Sequence, residues 1–305
     1  MPLAGRATRL YPATASIKKG LIPLVDVDGL AKPTIQLIVE AAVASGIDEV
    51  CLVVGPGDED AYARHFGGIS AEQRAAFVGK DWALAQAERL VELARHVRFV
   101  TQTEPLGYGH AVYCGREFAA GEPVLVMLGD HVYTSHEDRS CVRQLVDVYE
   151  RYGCPVSAAS VSGEDELPYF GTMRARLVPG DPGVYEVERI VEKPPVALAR
   201  AELRAEGLPV GRYLCFFGLH AMSAGIFDCL AEAVARQHER GGEVEFTSSQ
   251  EALRARERYL ACVINGERHD TGIPGELART QLALAARSPY RAQLAADARR
   301  LGLGA

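Results

Sequence analysis

Short apolar, β-branched runs alternate along this chain with longer stretches at helical spacing. That alternation restricts it to a layered α/β fold, a sheet covered by helices. Glu49 to Val54 is one such run, and because it stops at Gly55-Pro56-Gly57 it predicts a central strand closed by a turn. Val97 to Val100, Val124 to Leu128 and Val156 to Val161 repeat the form. Between the runs, Pro33 opens and Gly46 ends a segment, Thr34 to Ser45, that is apolar on most faces, as a buried crossover helix is. Ser70 to Arg95 reads as helical. Glu137 to Arg151 does too, carrying Val142, Leu145, Val146 and Tyr149 at helical spacing.

From about Glu164 the pattern changes. Tyr169 to Thr172, Val184 to Val191 and Tyr213 to Leu219 predict strands with long polar connections, a second sheet on the substrate side. Beyond Ser223 the chain reads as mostly helical, broken near Tyr259 to Ile264 by one more strand. Its 305 residues allow one large or two ordinary domains, and no Ser/Gly/Pro linker divides them.

Charge and cysteine usage exclude several classes. With 33 Lys+Arg against 40 Asp+Glu the net charge is −7, which lacks the long-range attraction that nonspecific nucleic-acid or anionic-membrane binding needs. Seven cysteines, an odd number with no C-x-x-C pair, fit neither a disulfide framework nor a thiolate zinc site, and point to a reducing cytoplasm. No apolar run reaches the roughly 20 residues of a membrane span, and Arg6, Arg9, Lys18 and Lys19 interrupt the place of a signal peptide. No acidic residue precedes Asp26, so a transit peptide must also be weighed.

Five segments carry chemistry. Pro2 to Leu10 is a small-residue loop with Arg6 and Arg9, followed by Lys18 and Lys19; such backbone approaches a phosphate closely while fixed cations hold its oxygens. On composition alone, a solvated basic face is the commoner meaning. Asp130 ends the run Val124 to Gly129, and Asp270 follows the run Leu260 to Ile264. Carboxylates beyond strand ends suit Mg²⁺ on a substrate phosphate, although either Asp alone is more often a turn or helix cap. Gln102, ahead of Gly107 and Gly109, offers a donor and an acceptor to a base edge, against the alternative of an exposed Gln in a glycine turn. His110 reads as a packed helix residue rather than a base. Glu192-Lys193-Pro194 puts a carboxylate beside an ammonium, able to hold sugar hydroxyls and a phosphate, or merely an exposed ion pair.

In their order along the chain the segments resemble the bacterial UTP:glucose-1-phosphate uridylyltransferases of the sugar-phosphate nucleotidyltransferase superfamily, from Pro2 to about Leu284. The family's G-x-G-T-R loop is similar to Gly5-Arg6-Ala7-Thr8-Arg9, its Lys-x-x-x-Pro to Lys19–Pro23, and its Q-x(4)-G-x-G-H to Gln102, Gly107, Gly109 and His110. Asp130 resembles the metal aspartate, Gly171 the sugar-side glycine, Glu192-Lys193-Pro194 the E-K-P motif and Asp270-Thr271-Gly272 the late D-x-G. Because the basic N-terminal stretch belongs to this pattern, the transit-peptide reading falls.

The resemblance implies a Rossmann-like, GT-A-like mixed sheet flanked by helices, with a sugar-binding sheet and a helical C-terminal part. It implies a nucleotidyltransferase domain over residues 1–286, nucleotide-binding mainly in 1–162 and sugar-binding mainly in 163–286, then a C-terminal helix in 287–305. It implies UTP and a sugar 1-phosphate as substrates and a homo-oligomer. Mg²⁺ would sit on Asp130 and Asp270, and Arg9, Lys19 and Lys193 would be catalytic. Leu3, Ala4, Gly5, Thr8, Gln102 and Gly107 would bind the nucleotide, and Gly171, Glu192 and Lys193 the sugar phosphate.

Four departures bear on that expectation. Ala7 replaces the second loop glycine, and its methyl group would either crowd the triphosphate or oppose a positive φ. Gly20 stands where an acidic residue is common, and Glu245 and Ser248 where the family's E-x-Q-x-T-D segment usually has Gln and Asp. No apolar run precedes the loop, so the sheet is expected to want its first central strand or to draw it from upstream. A non-catalytic nucleotide-sugar sensor and a thymidylyltransferase therefore stay open. A dinucleotide-dependent dehydrogenase is disfavoured by the absence of an early G-x-G-x-x-G with its acidic partner.

Overall fold

The computed structural model describes residues 1–302. Its centre is a six-stranded mixed sheet in the order Val124–Met127, Tyr213–Met222, Val156–Ser162, Leu260–Val263, Val184–Val191, Thr172–Leu177. Alternate residues of these strands enter different cores. Met127, Leu219 and Leu260 pack with Ile35, Leu145 and Val148 on one face, while Val126, Met222 and Ala261 pack with Ile226, Leu230 and Phe246 on the other. With helices on both sides, Tyr213–Met222 is buried at all ten positions, as a strand covered on both faces must be.

Val50–Val54 and Val97–Thr101 form a separate parallel pair. Met1 to Leu3 runs beside the pair: the Leu3 N–H donates to the Val53 carbonyl at 2.7 Å, and the Val53 N–H to the Met1 carbonyl at 3.0 Å. The crossover helix spans Thr34–Ala44, with seven buried residues, as its boundary residues predict. The expected Ser70–Arg95 helix is two helices, Ala71–Ala76 and Asp81–Ala94, because Gly79 takes φ +79° between them.

The expected strand at Tyr169 starts only at Thr172. The chain turns at Tyr169, whose N–H donates to Glu166, and Thr172–Leu177 and Val184–Val191 then extend the central sheet rather than building another. The six strands thus draw on both 1–162 and 163–286. The C-terminal helix is Arg291–Arg300; positions 303–305 of its expected range lie outside the described residues. Among the described residues no helix is long and apolar enough to cross a membrane.

A buried polar cluster ties this core together. The Gln250 amide donates to His220 Nδ1 at 3.0 Å, and the Ser157 hydroxyl lies 2.7 Å from the same nitrogen and 2.6 Å from the Tyr259 hydroxyl. Burial pushes the His220 imidazole down to about 3. The unfolded chain takes up that proton near pH 6.5 and the folded chain does not, so His220's contribution to stability is complete above pH 6.5 and is lost as pH falls from there toward 3. The urea midpoint is therefore expected to drop between pH 7 and pH 5, with a shallower slope in His220→Gln; equal slopes would take His220 out of the explanation.

Candidate active site

Two strands that the periodicity does not reveal, His131–Ser135 and Gly266–Asp270, pair antiparallel with His131 opposite Asp270. This ribbon sets the site. Asp130 leads into one strand and Asp270 ends the other, so Asp270 closes a strand of its own rather than the Leu260–Val263 strand from which the sequence approached it. Thr271 fastens the two: its N–H and its hydroxyl each donate to the Asp130 carbonyl at 2.8 Å. The Gly272 N–H donates to Asp270 Oδ1 at 2.7 Å, and a Cβ at Gly272 would stand 2.9 Å from an oxygen of each aspartate, so this position has room only for hydrogen.

Asp130, His131 and Asp270 each offer a donor atom, and these lie within 4.8 Å of one another. Burial alone would raise the Asp130 carboxyl, but the Lys19 ammonium, at 3.0 Å, holds it below its ordinary range. Asp270 is pushed above that range by burial and by the charge of Asp130. Burial pushes His131 down to about 3, so its imidazole is neutral at pH 7. Two crowded carboxylate donors and a neutral nitrogen suit a divalent cation, whose charge would relieve the repulsion between the aspartates. Arg9 reaches Asp270 at 3.9 Å from a side chain 60% exposed, whereas the Lys19 side chain is 15% exposed.

A cleft runs past these groups, lined among others by Ala4, Gly5, Arg9, Lys19, Gln102, Gly107, Asp130, Lys193 and Asp270. A neighbouring pocket shares Ala4, Gly5, Lys19 and Gln102 with it and adds Leu3 and Thr103. Leu3 buries its side chain in the core and offers only backbone there, and Thr8, exposed, opens a short 3₁₀ turn. Gly171 and Glu192 line neither. They sit together beside Phe216, where a Cβ at Gly171 would fall 2.6 Å from the ring and 3.2 Å from Glu192 Oε2, and the Thr247 hydroxyl donates to the same Oε2 at 2.6 Å. Lys193 is half exposed, has φ +43°, and lies 3.6 Å from the Glu192 carboxylate.

The loop departures have structural accounts. Ala7 adopts φ 49°, ψ 41° despite its methyl group, at a local cost of about 1–2 kcal/mol. Gly20 leaves room that the buried Tyr62 ring fills, a Cβ there meeting Tyr62 at 3.1 Å. Gln102 is not the exposed amide of a turn: its Nε2 donates to the Gly107 carbonyl at 3.2 Å and to His110 Nδ1 at 3.0 Å, so His110 is packed as expected. Glu245 precedes the Phe246–Arg254 helix and accepts from the Ser248 hydroxyl at 2.9 Å.

Residues 3–287 match the nucleotidyl transferase family. The chain belongs to that family. It is 33% identical over 278 residues to UTP–glucose-1-phosphate uridylyltransferase of Bacillus subtilis, covering 89% of this chain and 85% of that protein. To the protein of that name from Staphylococcus epidermidis it is 32% identical over 299 residues, covering 96% and 93%. Its fold matches a UDP-glucose pyrophosphorylase solved in complex with UDP-glucose, with a TM-score of 0.74 at 27% identity over 92% of this chain and 96% of that one. Within the family frame, the sequence did not reveal His131, Thr271 as the clamp on Asp130, or Tyr108, which lines the cleft and whose buried hydroxyl has no hydrogen-bond partner among the described residues. His131 was the findable one, since it directly follows the strand-end Asp130.

Proposed function

We propose that this nucleotidyl transferase joins UTP to a sugar 1-phosphate, glucose 1-phosphate first among them, and releases UDP-sugar and pyrophosphate. The observation that carries the reading is the meeting of Asp130, Asp270, Lys19 and the Ala4–Gly5 loop at one cleft. An oxygen of the sugar phosphate, already anionic at neutral pH, forms the new bond to the α-phosphorus of UTP; the bond from that phosphorus to the bridging oxygen breaks, and pyrophosphate leaves with the electron pair. Such a reaction needs alignment and charge neutralisation, not a covalent nucleophile.

The loop backbone from Leu3 to Gly5 would cradle the triphosphate, with Thr8 supporting the turn, and Lys19 and Arg9 would face the leaving pyrophosphate. Gln102, held by Gly107 and His110, would present its remaining amide edge and the Gly107 backbone to the base. Lys193, which lines the cleft, would hold the attacking phosphate, with Glu192 and Gly171 beside the sugar. Asp130 and Asp270, joined by His131, would hold Mg²⁺, which would neutralise phosphate charge when bound. A pure sensor is disfavoured, because relatives 32–33% identical over most of the chain are named uridylyltransferases.

Incubation with Mg²⁺, each NTP in turn and a panel of sugar 1-phosphates tests the reading by pyrophosphate release. Release with UTP and glucose 1-phosphate supports it, and UTP binding without release under any pairing overturns it. Lys193→Ala is expected to raise the KM for the sugar phosphate about tenfold or more and to leave UTP affinity within about twofold. Equal weakening of both ligands would assign this lysine to the nucleotide or the fold.

A further inference from the structure

The strand that ends in Asp270 carries a second charge. Arg268 stands two residues before that aspartate, so strand alternation puts both side chains on one face of the ribbon. Burial pulls its guanidinium below its ordinary value, although it stays a cation. The Glu166 and Asp270 carboxylates attract it only from a distance, and among the described residues neither is hydrogen-bonded to it.

Two neutral partners receive the charge instead. Nη1 donates to the Phe216 carbonyl at 2.7 Å, and the guanidinium carbon lies 3.8 Å from the centroid of the Phe170 ring, over the negative face that an aromatic ring presents to a cation. Both partners lead to Gly171. Phe170 directly precedes it, and the Phe216 N–H donates to the Gly171 carbonyl at 2.9 Å. The Phe216 ring also stands 2.6 Å from where a Gly171 Cβ would be, with Glu192 Oε2 at 3.2 Å from the same point. Phe216 therefore holds Gly171 by its N–H and Arg268 by its carbonyl.

We propose that Arg268 is a positioning residue for the sugar phosphate: through Phe170 and Phe216 it fixes the Gly171–Glu192 corner at a set distance from Asp130 and Asp270. The proposal rests on the reading of the cleft as the site of UTP and a sugar 1-phosphate. Joining them requires the attacking oxygen and the α-phosphorus to be aligned to within about 0.5 Å. The nucleotide end hangs from other elements, the Ala4–Gly5 loop and Gln102, so Arg268 acts on that alignment from the sugar side alone. An arginine suits the task because its planar fork donates in the plane while its face stacks, which the point charge of a lysine does not reproduce.

Arg268→Met and Phe170→Leu, singly and together, test it by initial rates with UTP and glucose 1-phosphate and by amide exchange. Arg268→Met is expected to raise the KM for glucose 1-phosphate about tenfold or more and to leave that for UTP within about twofold. The double variant is expected within about twofold of Arg268→Met, since both changes break one contact. Exchange at the Phe216 amide is expected to become about tenfold faster in Arg268→Met, relative to the rest of the Tyr213–Met222 strand. Equal changes in both KM values, no change in either, or a double variant that multiplies the two single effects overturns the proposal. If Arg268→Met does not fold, Arg268→Lys is expected to shift the same KM in the same direction by less, and an unchanged KM there overturns the proposal equally. Failure of the unsubstituted protein to release pyrophosphate would defeat the reading of the cleft instead; amide exchange then decides, and unchanged protection of Phe216 overturns the clamp.

Discussion

Asp130→Asn and Asp270→Asn are each expected to cut turnover about a hundredfold to a thousandfold, because each removes one of the two charges that would hold a cation against the phosphates. The amide keeps the side chain's shape, and Thr271 clamps the Asp130 backbone, so neither change dismantles the ribbon. Stability separates the two variants. Asp270 is crowded by Asp130 and raised by burial, so neutralising it is expected to leave the thermal midpoint unchanged or higher. Neutralising Asp130 strands the Lys19 ammonium in a largely buried position and is expected to lower the midpoint. Turnover within about threefold of the unsubstituted protein in both variants would remove the aspartates from the reaction.

Lys19→Met is expected to be nearly as damaging, about a hundredfold in kcat, since this ammonium is buried, fixed, and next to where pyrophosphate charge develops. It carries a second signature. Lys19 holds the Asp130 carboxyl low, so without it Asp130 ionises at higher pH and the acid limb of the kcat profile moves up. A merely structural lysine would leave that limb in place. Arg9→Ala, by contrast, is expected to cost only about tenfold, because its guanidinium is largely solvated and held at 3.9 Å.

What the sequence disclosed and what it hid divide along a physical line. A run buried on both faces, such as Val50–Val54, announces itself, since every residue in it must be apolar or small. The Thr34–Ala44 helix does the same through its Pro and Gly boundaries. The ribbon that builds the site, His131–Ser135 with Gly266–Asp270, was invisible because its residues are mostly polar or functional and carry no period. The aspartates were legible from their places after apolar runs and from motif, while their register, and with it His131, needed the fold. Tyr169 misled because an aromatic pair beside Gly imitates a strand, whereas here it completes a turn.

That ribbon also dictates an order of events when the chain folds. Thr271 reaches back 141 positions to fasten Asp130, whereas the helices close through contacts a few residues apart. Long-range pairing comes slowly because distant ends must first be brought together, while local helices form early. A refolding molecule will thus recover its helical circular dichroism before its two aspartates meet, and regained turnover reports the last join in the molecule rather than the first.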